Sequence, residues 1–206
     1  MHNPNHPAIA AYFMALGRFV HEFGHTEHHL AFMIHRYVSA SINEAYEPFF
    51  APGRGVIRPH PLTDLLRALM GEQRSGVMSE ILKEVMRATG RDQRNCAEMK
   101  ETLDHLGQIT AIRNRIVHHG AWPQDDQTTW RSLTAPQGRS PKDLKTAYFT
   151  IDDLTNASVD LATIRHRIDA LLVTENPNVR PEAEAAGSFA PKPWHYKPVQ
   201  LDAKDR

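Results

Sequence analysis

Apolar residues recur at alternating spacings of three and four along the first forty residues of the chain. This is the stripe that a helix presents to the other helices of a bundle, so the pattern predicts one long helix over residues 8–40. Glu27 occupies a position where the stripe calls for an apolar residue. A buried carboxylate is costly without a partner, so Glu27 either meets a cation or hydrogen bonds or lies at the edge of the core. The stripe consists of Phe13, Leu16, Val20, Phe23, Glu27, Leu30, Ile34 and Tyr37.

Four shorter stretches repeat the helical pattern, and each is bounded by residues that start or stop helices. An Asx side chain can satisfy the free amides of a first turn, and a glycine after the last turn ends a helix. In the final stretch the cap is Asp152 or Asp153. Together with the first helix, these stretches predict an all-α bundle of about five helices. They extend from Pro61 to Gly71, from Val77 to Thr89, from Asp92 to His119 and from Asp152 to Val173.

Prolines and glycines separate some of these helices by irregular segments. Residues 43–61 contain four prolines and two glycines, and we predict a loop there. Residues 121–150 form an irregular insertion before the last helix, with short strands predicted over Thr128–Leu133 and Thr146–Ile151.

The composition changes to proline, alanine and mixed charge after residue 174. Such a composition buries too little apolar surface for a core, so it predicts a flexible tail. Two aromatic residues of this tail, Trp194 and Tyr196, are candidates to dock on a partner. The predicted organisation is one helical domain over residues 1–174 and a proline-rich, disordered tail over residues 175–206.

The predicted helix that ends at His119 also carries a charge on its apolar side. Arg113 lies seven residues after Leu106, which places it on or beside the inward face. Because Glu27 is the corresponding misfit in the first helix, we predict that the two side chains meet. The apolar side of this helix consists of Cys96, Met99, Leu103, Leu106, Ile109 or Thr110, and Ile116 or Val117, and that of the last helix consists of Leu154, Val159, Leu161, Ile164, Ile168 and Leu171.

The overall composition excludes several classes of protein. Lysine and arginine number 24 and so do aspartate and glutamate, so any binding of nucleic acid must use a local patch. Residues 111–145 supply one, with six basic against three acidic residues. The single cysteine, Cys96, excludes an internal disulfide framework. No membrane-spanning apolar run or export signal is evident, so we expect a cytoplasmic protein without a membrane partner.

The end of the predicted fourth helix concentrates the candidate chemistry. Arg113 is followed directly by Asn114 and, five positions later, by His118, with His119 next and Gly120 ending the helix. This arrangement, near the end of the penultimate helix of a helical chain, resembles the HEPN superfamily (higher eukaryotes and prokaryotes nucleotide-binding domains). The signature of that family is an arginine, a polar residue that is often asparagine, and a histidine four to six positions after the arginine. The likeness covers the arrangement of helices over roughly residues 8–174, but neither the insertion over residues 121–150 nor the tail.

The resemblance implies a homodimer with a composite Arg/His site and, as in many members, a metal-independent endoribonuclease that is a toxin or a defence effector, without a cofactor. RNA would be the substrate, and a toxin would have an antitoxin protein as a further partner. His118 suits proton transfer near pH 7, and the planar guanidinium of Arg113 matches phosphate oxygens. Asn114 lies one helical turn from His118 and can orient it. His119 is an alternative catalytic residue, and Glu27 a supporting one.

The predicted first helix suggests a different hypothesis for the function. His21-Glu22-Phe23-Gly24-His25 matches the H-E-x-x-H motif, in which two histidines one turn apart bind zinc and the glutamate acts as a general base. A zinc hydrolase built on His21, Glu22 and His25 is therefore one alternative, although the sheet that precedes such a helix in zinc proteases is missing from the pattern. A solvated histidine-rich face explains the same residues. The remaining alternative is a HEPN-type module that binds nucleotide, RNA or protein without catalysis.

Overall fold

A computed structural model describes residues 7–46, 75–88, 93–124, 129–134, 145–173 and 194–197. This part of the chain is mostly helical, so the prediction of a helical fold is confirmed, but a small sheet of three strands is present as well. The elements in chain order are α1 (Pro7–Tyr46), α2 (Ser75–Ala88), α3 (Gln93–His119), β1 (Trp122–Pro123), β2 (Thr129–Thr134), β3 (Lys145–Thr150) and α4 (Ile151–Val173).

The predicted boundaries hold to different degrees. Helix α1 extends six residues beyond the predicted end at residue 40, into the segment predicted to be a loop. The predicted strands of the insertion are confirmed within about one residue at each end, and β1 adds a third strand. The helix predicted between Pro61 and Gly71, and the N-cap Asp92, lie outside the described residues.

The chain divides into two compact units. The first unit comprises residues 1–24, 105–163 and 192–206, and the second comprises residues 25–104 and 164–191. In the first unit the sheet, the ends of three helices and Tyr196 supply the buried residues. Its core includes Tyr12, Phe19, Phe23, Leu106, Ile109, Ile112, Ile116, Trp130, Phe149, Leu154, Ala157 and Leu161. The core of the second unit includes Leu30, Met33, Ile34, Met78, Leu82, Met86, Met99, Leu103, Ile164, Ile168 and Leu171.

The inward face of α1 lies one residue away from the predicted stripe near its N-terminus. Tyr12 and Phe19 are buried, whereas Phe13 is 60% and Val20 44% exposed. Tyr12 and Phe13 are adjacent large apolar residues, and so are Phe19 and Val20. Helical spacing alone therefore cannot decide whether residues 12 and 19 or residues 13 and 20 face the core. The partner decides, because the ring of Tyr12 stacks on Trp130 of β2 with 3.4 Å between ring centroids. Burial also raises the pKa of the Tyr12 phenol to about 12.

The sheet is antiparallel, with strand order β1-β2-β3. Trp130 pairs with Phe149, and both are buried, while the next residues, Arg131 and Tyr148, pair with each other on the opposite face. Trp122 of β1 also pairs with Arg131. Because side chains alternate between the faces of a strand, the sheet has an inner face in the core of the first unit and an outer face.

Helix α4 begins directly at the end of β3 through a capping box. The Thr150 hydroxyl accepts a hydrogen bond from the Asp153 N–H at 3.2 Å, and the Asp153 carboxylate accepts one from the Thr150 N–H at 2.7 Å. These two bonds satisfy two of the free amides at the start of the helix. The predicted cap at Asp152 or Asp153 is therefore corrected to Thr150, with Asp153 as its partner three residues later.

None of the helices in the described ranges combines the length and the apolar content needed to cross a membrane.

Candidate functional site

Helix α3 ends where the glycine signal predicted. Gly120 has a φ of 67°, in the left-handed region that glycine adopts without strain. Its N–H donates to the carbonyl oxygen of Ile116 at 3.0 Å, which is the hydrogen bond of a helix ended by a left-handed residue. This cap fixes the direction in which the chain leaves the helix, immediately after the two candidate histidines.

The structure places Arg113 beside the core of the first unit rather than in it. Ile112 is buried, and Arg113 next to it is half-buried. The guanidinium carbon lies 5.5 Å from the ring centroid of Phe23, a buried residue of α1, within the range of a cation–π contact. Nη1 donates to the Asn114 side-chain oxygen at 3.0 Å. These contacts hold a fixed positive charge next to Asn114.

The two candidate histidines occupy the last turn of α3. His118 is exposed and His119 is half-buried, and Val117 beside them is 50% exposed. On an ideal helix Arg113 and His118 point about 140° apart, because five residues turn the chain by nearly one and a half turns. The structure thus brings Arg113 and Asn114 together at this helix end, whereas the side chain of His118 leaves the helix in a direction well away from that of Arg113.

Glu27 is half-buried in α1 and belongs to the second unit. The residue that faces the core there is its neighbour Thr26, whose hydroxyl accepts a hydrogen bond from Arg165 Nη1 at 2.9 Å. Glu27 thus lies beside the inward face, which agrees with the alternative that places it at the edge of the core, and its pairing with Arg113 stays a prediction.

No family model, curated protein or solved structure matches the chain. The resemblance to HEPN domains consequently stays a prediction that depends on the motif at the end of α3 and on the mostly helical fold.

The histidine-rich stretch of α1 lies largely at the surface. His21, His25 and His28 are exposed and Glu22 is half-buried. Among the residues that the structure describes, no three histidine, cysteine, aspartate or glutamate side chains come together in a way that could hold a metal ion. The described residues thus offer the zinc alternative no third ligand beside His21 and His25.

A cluster that the sequence analysis did not anticipate lies elsewhere in the first unit. The Asp160 cluster consists of Asp160 on α4, His105 on α3 and the segment Trp194, His195 and Tyr196. The Asp160 carboxylate is 1% exposed and accepts hydrogen bonds from His105 Nε2 and His195 Nδ1, both at 2.9 Å. It also accepts from the backbone N–H of His195 at 3.0 Å and of Tyr196 at 2.8 Å. The ring of Trp194 stacks on His105 with 4.1 Å between centroids.

The Asp160 cluster anchors three residues of the predicted tail to the helices of the first unit. One carboxylate collects four donors, which compensates for removing its charge from water. The signal that could have found it is the one used for Glu27 and Arg113, a polar residue on an apolar stripe. Asp160 lies between the buried residues Ala157 and Leu161, whereas Val159, which was predicted to be inward, is 38% exposed.

The Asp160 cluster should release its tail segment in acid. Burial by itself would raise the pKa of the Asp160 carboxyl, but the hydrogen bonds from His105, Tyr196 and His195 outweigh it and hold that pKa below its ordinary value of 3.8. A carboxyl whose pKa is lower in the folded state contributes stability above its unfolded pKa and loses that contribution as pH falls through the folded pKa. The segment is thus expected to stay bound at neutral pH and to detach below pH 3.8.

Hydrogen exchange of the His195 and Tyr196 amides tests this expectation. Their protection factors should fall as the pH is lowered through and below 3.8, ahead of those of amides in the middle of α4. In Asp160→Asn this acid-dependent step should be absent. If the protection of the two amides did not change with pH, the tail segment would not be held by the Asp160 carboxylate.

Proposed function

We propose that the chain is a metal-independent endoribonuclease of the HEPN type that acts as a homodimer. The observation that carries the proposal is the arrangement at the end of α3. A guanidinium held by Phe23 and Asn114 precedes by five residues an exposed imidazole, that of His118. A fixed cation and a group that transfers protons near neutral pH are the two requirements of RNA cleavage without a metal.

In the proposed reaction the 2′-hydroxyl of RNA attacks the adjacent phosphorus atom. One imidazole takes the proton of that hydroxyl, and a second imidazole gives a proton to the departing 5′-oxygen. The products are a 2′,3′-cyclic phosphate and a free 5′-hydroxyl. Water is not a reactant in this step, and the step needs no metal ion. Arg113 stabilises the negative charge that develops on the phosphate oxygens.

The homodimer supplies what one chain lacks. Since Arg113 and His118 diverge by about 140° on the helix, one copy does not aim both at the same phosphate. Two copies with the ends of α3 opposed would contribute two guanidinium groups and two imidazoles to a single cleft, which provides a base and an acid. Such a site also explains why His118 is exposed in the single chain. A toxin of this kind would have an antitoxin protein as its partner.

Cleavage of single-stranded RNA by the purified chain in excess EDTA tests the proposal. We expect fragments that end in 2′,3′-cyclic phosphate, and no cleavage of the same oligonucleotide with 2′-deoxyribose, because the nucleophile is then missing. Intact RNA under all conditions would contradict the proposal and favour a module that binds without catalysis. Activity lost in EDTA and restored by zinc would instead favour the hydrolase built on His21, Glu22 and His25.

A further inference from the structure

The outer face of the sheet presents an aromatic, a cationic and an aromatic side chain in one row. Trp122 pairs with Arg131, and Arg131 pairs with Tyr148, so the three residues lie side by side across the three strands. We call them the Trp122 row. Directly paired residues of neighbouring strands have Cβ atoms about 5 Å apart, and they share a face of the sheet. The row therefore spans about 10 Å, with the guanidinium group in the middle.

The two aromatic rings of the Trp122 row are open to a ligand. Trp122 is 52% and Tyr148 36% exposed, whereas the aromatic pair on the inner face, Trp130 and Phe149, is buried. The stability of the fold does not require two large aromatic side chains on the outer face of the sheet, because exposed rings bury little apolar area. Two exposed rings on one face of a sheet are a surface on which a flat ligand can stack.

Arg131 gives the Trp122 row its charge. Its Nε is buried and has no hydrogen-bond partner among the described residues. A ligand above the row cannot reach this buried atom, but the positive charge of the half-buried Arg131 side chain favours an anionic ligand there. Aromatic rings flanking a guanidinium match nucleotides, which present a flat base and a negative phosphate within one repeat.

The Trp122 row also adjoins the end of α3. The indole ring lies 3.8 Å from the point where a side chain on Gly120 would begin, so it packs against the helix cap two residues after His118. The hydroxyl of Ser132 in β2 hydrogen-bonds the carbonyl oxygen of Arg115 at 3.5 Å, which attaches the sheet to the same helix end. A strand of RNA stacked on the row would thus run close to His118.

We propose that the Trp122 row is a stacking platform that binds single-stranded RNA beside the catalytic end of α3. The proposal rests on the proposed function for the identity of the nucleic acid. It names the substrate class as unpaired RNA, because the bases of a duplex are stacked on each other and cannot lie on the rings. Stacking on aromatic rings tolerates every base, so the platform selects strandedness and not sequence.

Binding of a single-stranded 2′-O-methyl oligouridine of about ten nucleotides tests the platform. This probe has no free 2′-hydroxyl, so it cannot be cut by the proposed reaction and reports affinity alone. Trp122→Ala is expected to weaken binding about tenfold or more, and Trp122→Phe should retain most of the affinity, because a ring remains. Arg131→Gln should lower the dependence of log K on log salt by about 0.7, the value for one lost phosphate contact on a single strand.

Phe32→Ala is the matched control, since Phe32 is 52% exposed, as Trp122 is, but lies on α1 in the second unit. It should leave the affinity unchanged. The platform is refuted if the unmodified chain does not bind the oligouridine, if Trp122→Ala binds it as tightly as the unmodified chain, or if the corresponding duplex binds equally well. Binding that depends on Trp122 in a chain that cuts no RNA would support the platform and contradict only the nuclease.

Discussion

Replacing Asp160 with alanine is expected to destabilise the first unit by about 3 kcal/mol, a large part of the stability of an ordinary domain. The carboxylate is the acceptor for both His105 and the backbone amides of His195 and Tyr196. Without it the buried imidazole and two N–H groups lose their acceptor together, and each unsatisfied buried group costs about 1 to 3 kcal/mol. Exposure of the tail segment to water recovers part of that cost, so the effect should be smaller than the sum.

Chemical denaturation by urea measures the effect, and α4 itself provides the control. Asp169 also accepts a hydrogen bond from a histidine, His29 at 3.0 Å, but its side chain is 44% exposed. Asp169→Ala should therefore cost less than about 1 kcal/mol, as surface pairs usually do. The two variants remove the same chemical group from the same helix. Equal losses from both would show that the burial of Asp160 contributes nothing.

His118→Ala is expected to reduce RNA cleavage by about 10²- to 10⁴-fold, the contribution of a positioned acid or base. Since the imidazole is exposed, the variant should fold as the unmodified chain does, with a change in the free energy of unfolding within about 0.5 kcal/mol. Single-turnover cleavage of a labelled RNA measures the chemical step. His166→Ala, which removes another exposed histidine on α4, is the control and should keep full activity.

A mixture of variants tests whether the site is shared between two chains. Arg113→Ala and His118→Ala should each be strongly impaired alone, whereas heterodimers formed by exchange contain one intact Arg113 and one intact His118 in the shared cleft and so keep one of the two proton-transfer groups. Partial activity in the mixture is therefore expected. Full activity of His118→Ala together with loss in His119→Ala would assign the catalysis to His119. Cleavage that survives in both would exclude this helix end as the active site.

The helices within the described residues and the two longer strands could be predicted from the sequence because their signals are local. Breakers such as Gly120 and the alternation in β2 and β3 act within a few residues, and the structure agrees with both. The choice between Tyr12 and Phe13 as the inward residue could not be predicted, since it depends on Trp130, more than a hundred positions away in the chain. Spacing alone describes a helix face only to within one residue.

The Asp160 cluster was missed for a related reason. Its partners lie 55 and 35 residues from Asp160 in the chain, and the second of them is in a stretch whose composition predicts disorder. The position of Asp160 among buried apolar residues could have suggested a buried carboxylate, but not which donors it meets. The candidate catalytic residues could be chosen together because Arg113, Asn114 and His118 are neighbours on one helix. The second copy of the chain that we propose for the site cannot be inferred from their spacing.

The contacts of Trp194, His195 and Tyr196 place part of the sequence after residue 174 in the folded domain, although its composition predicts a tail. Composition puts the boundary near residue 174, and a chain shortened there would keep every predicted helix. It would also strip the Asp160 carboxylate of three of its four donors and uncover the face of His105 that Trp194 shields. The buried negative charge on the last helix is therefore stabilised mainly by hydrogen-bond donors that lie beyond the domain boundary suggested by composition.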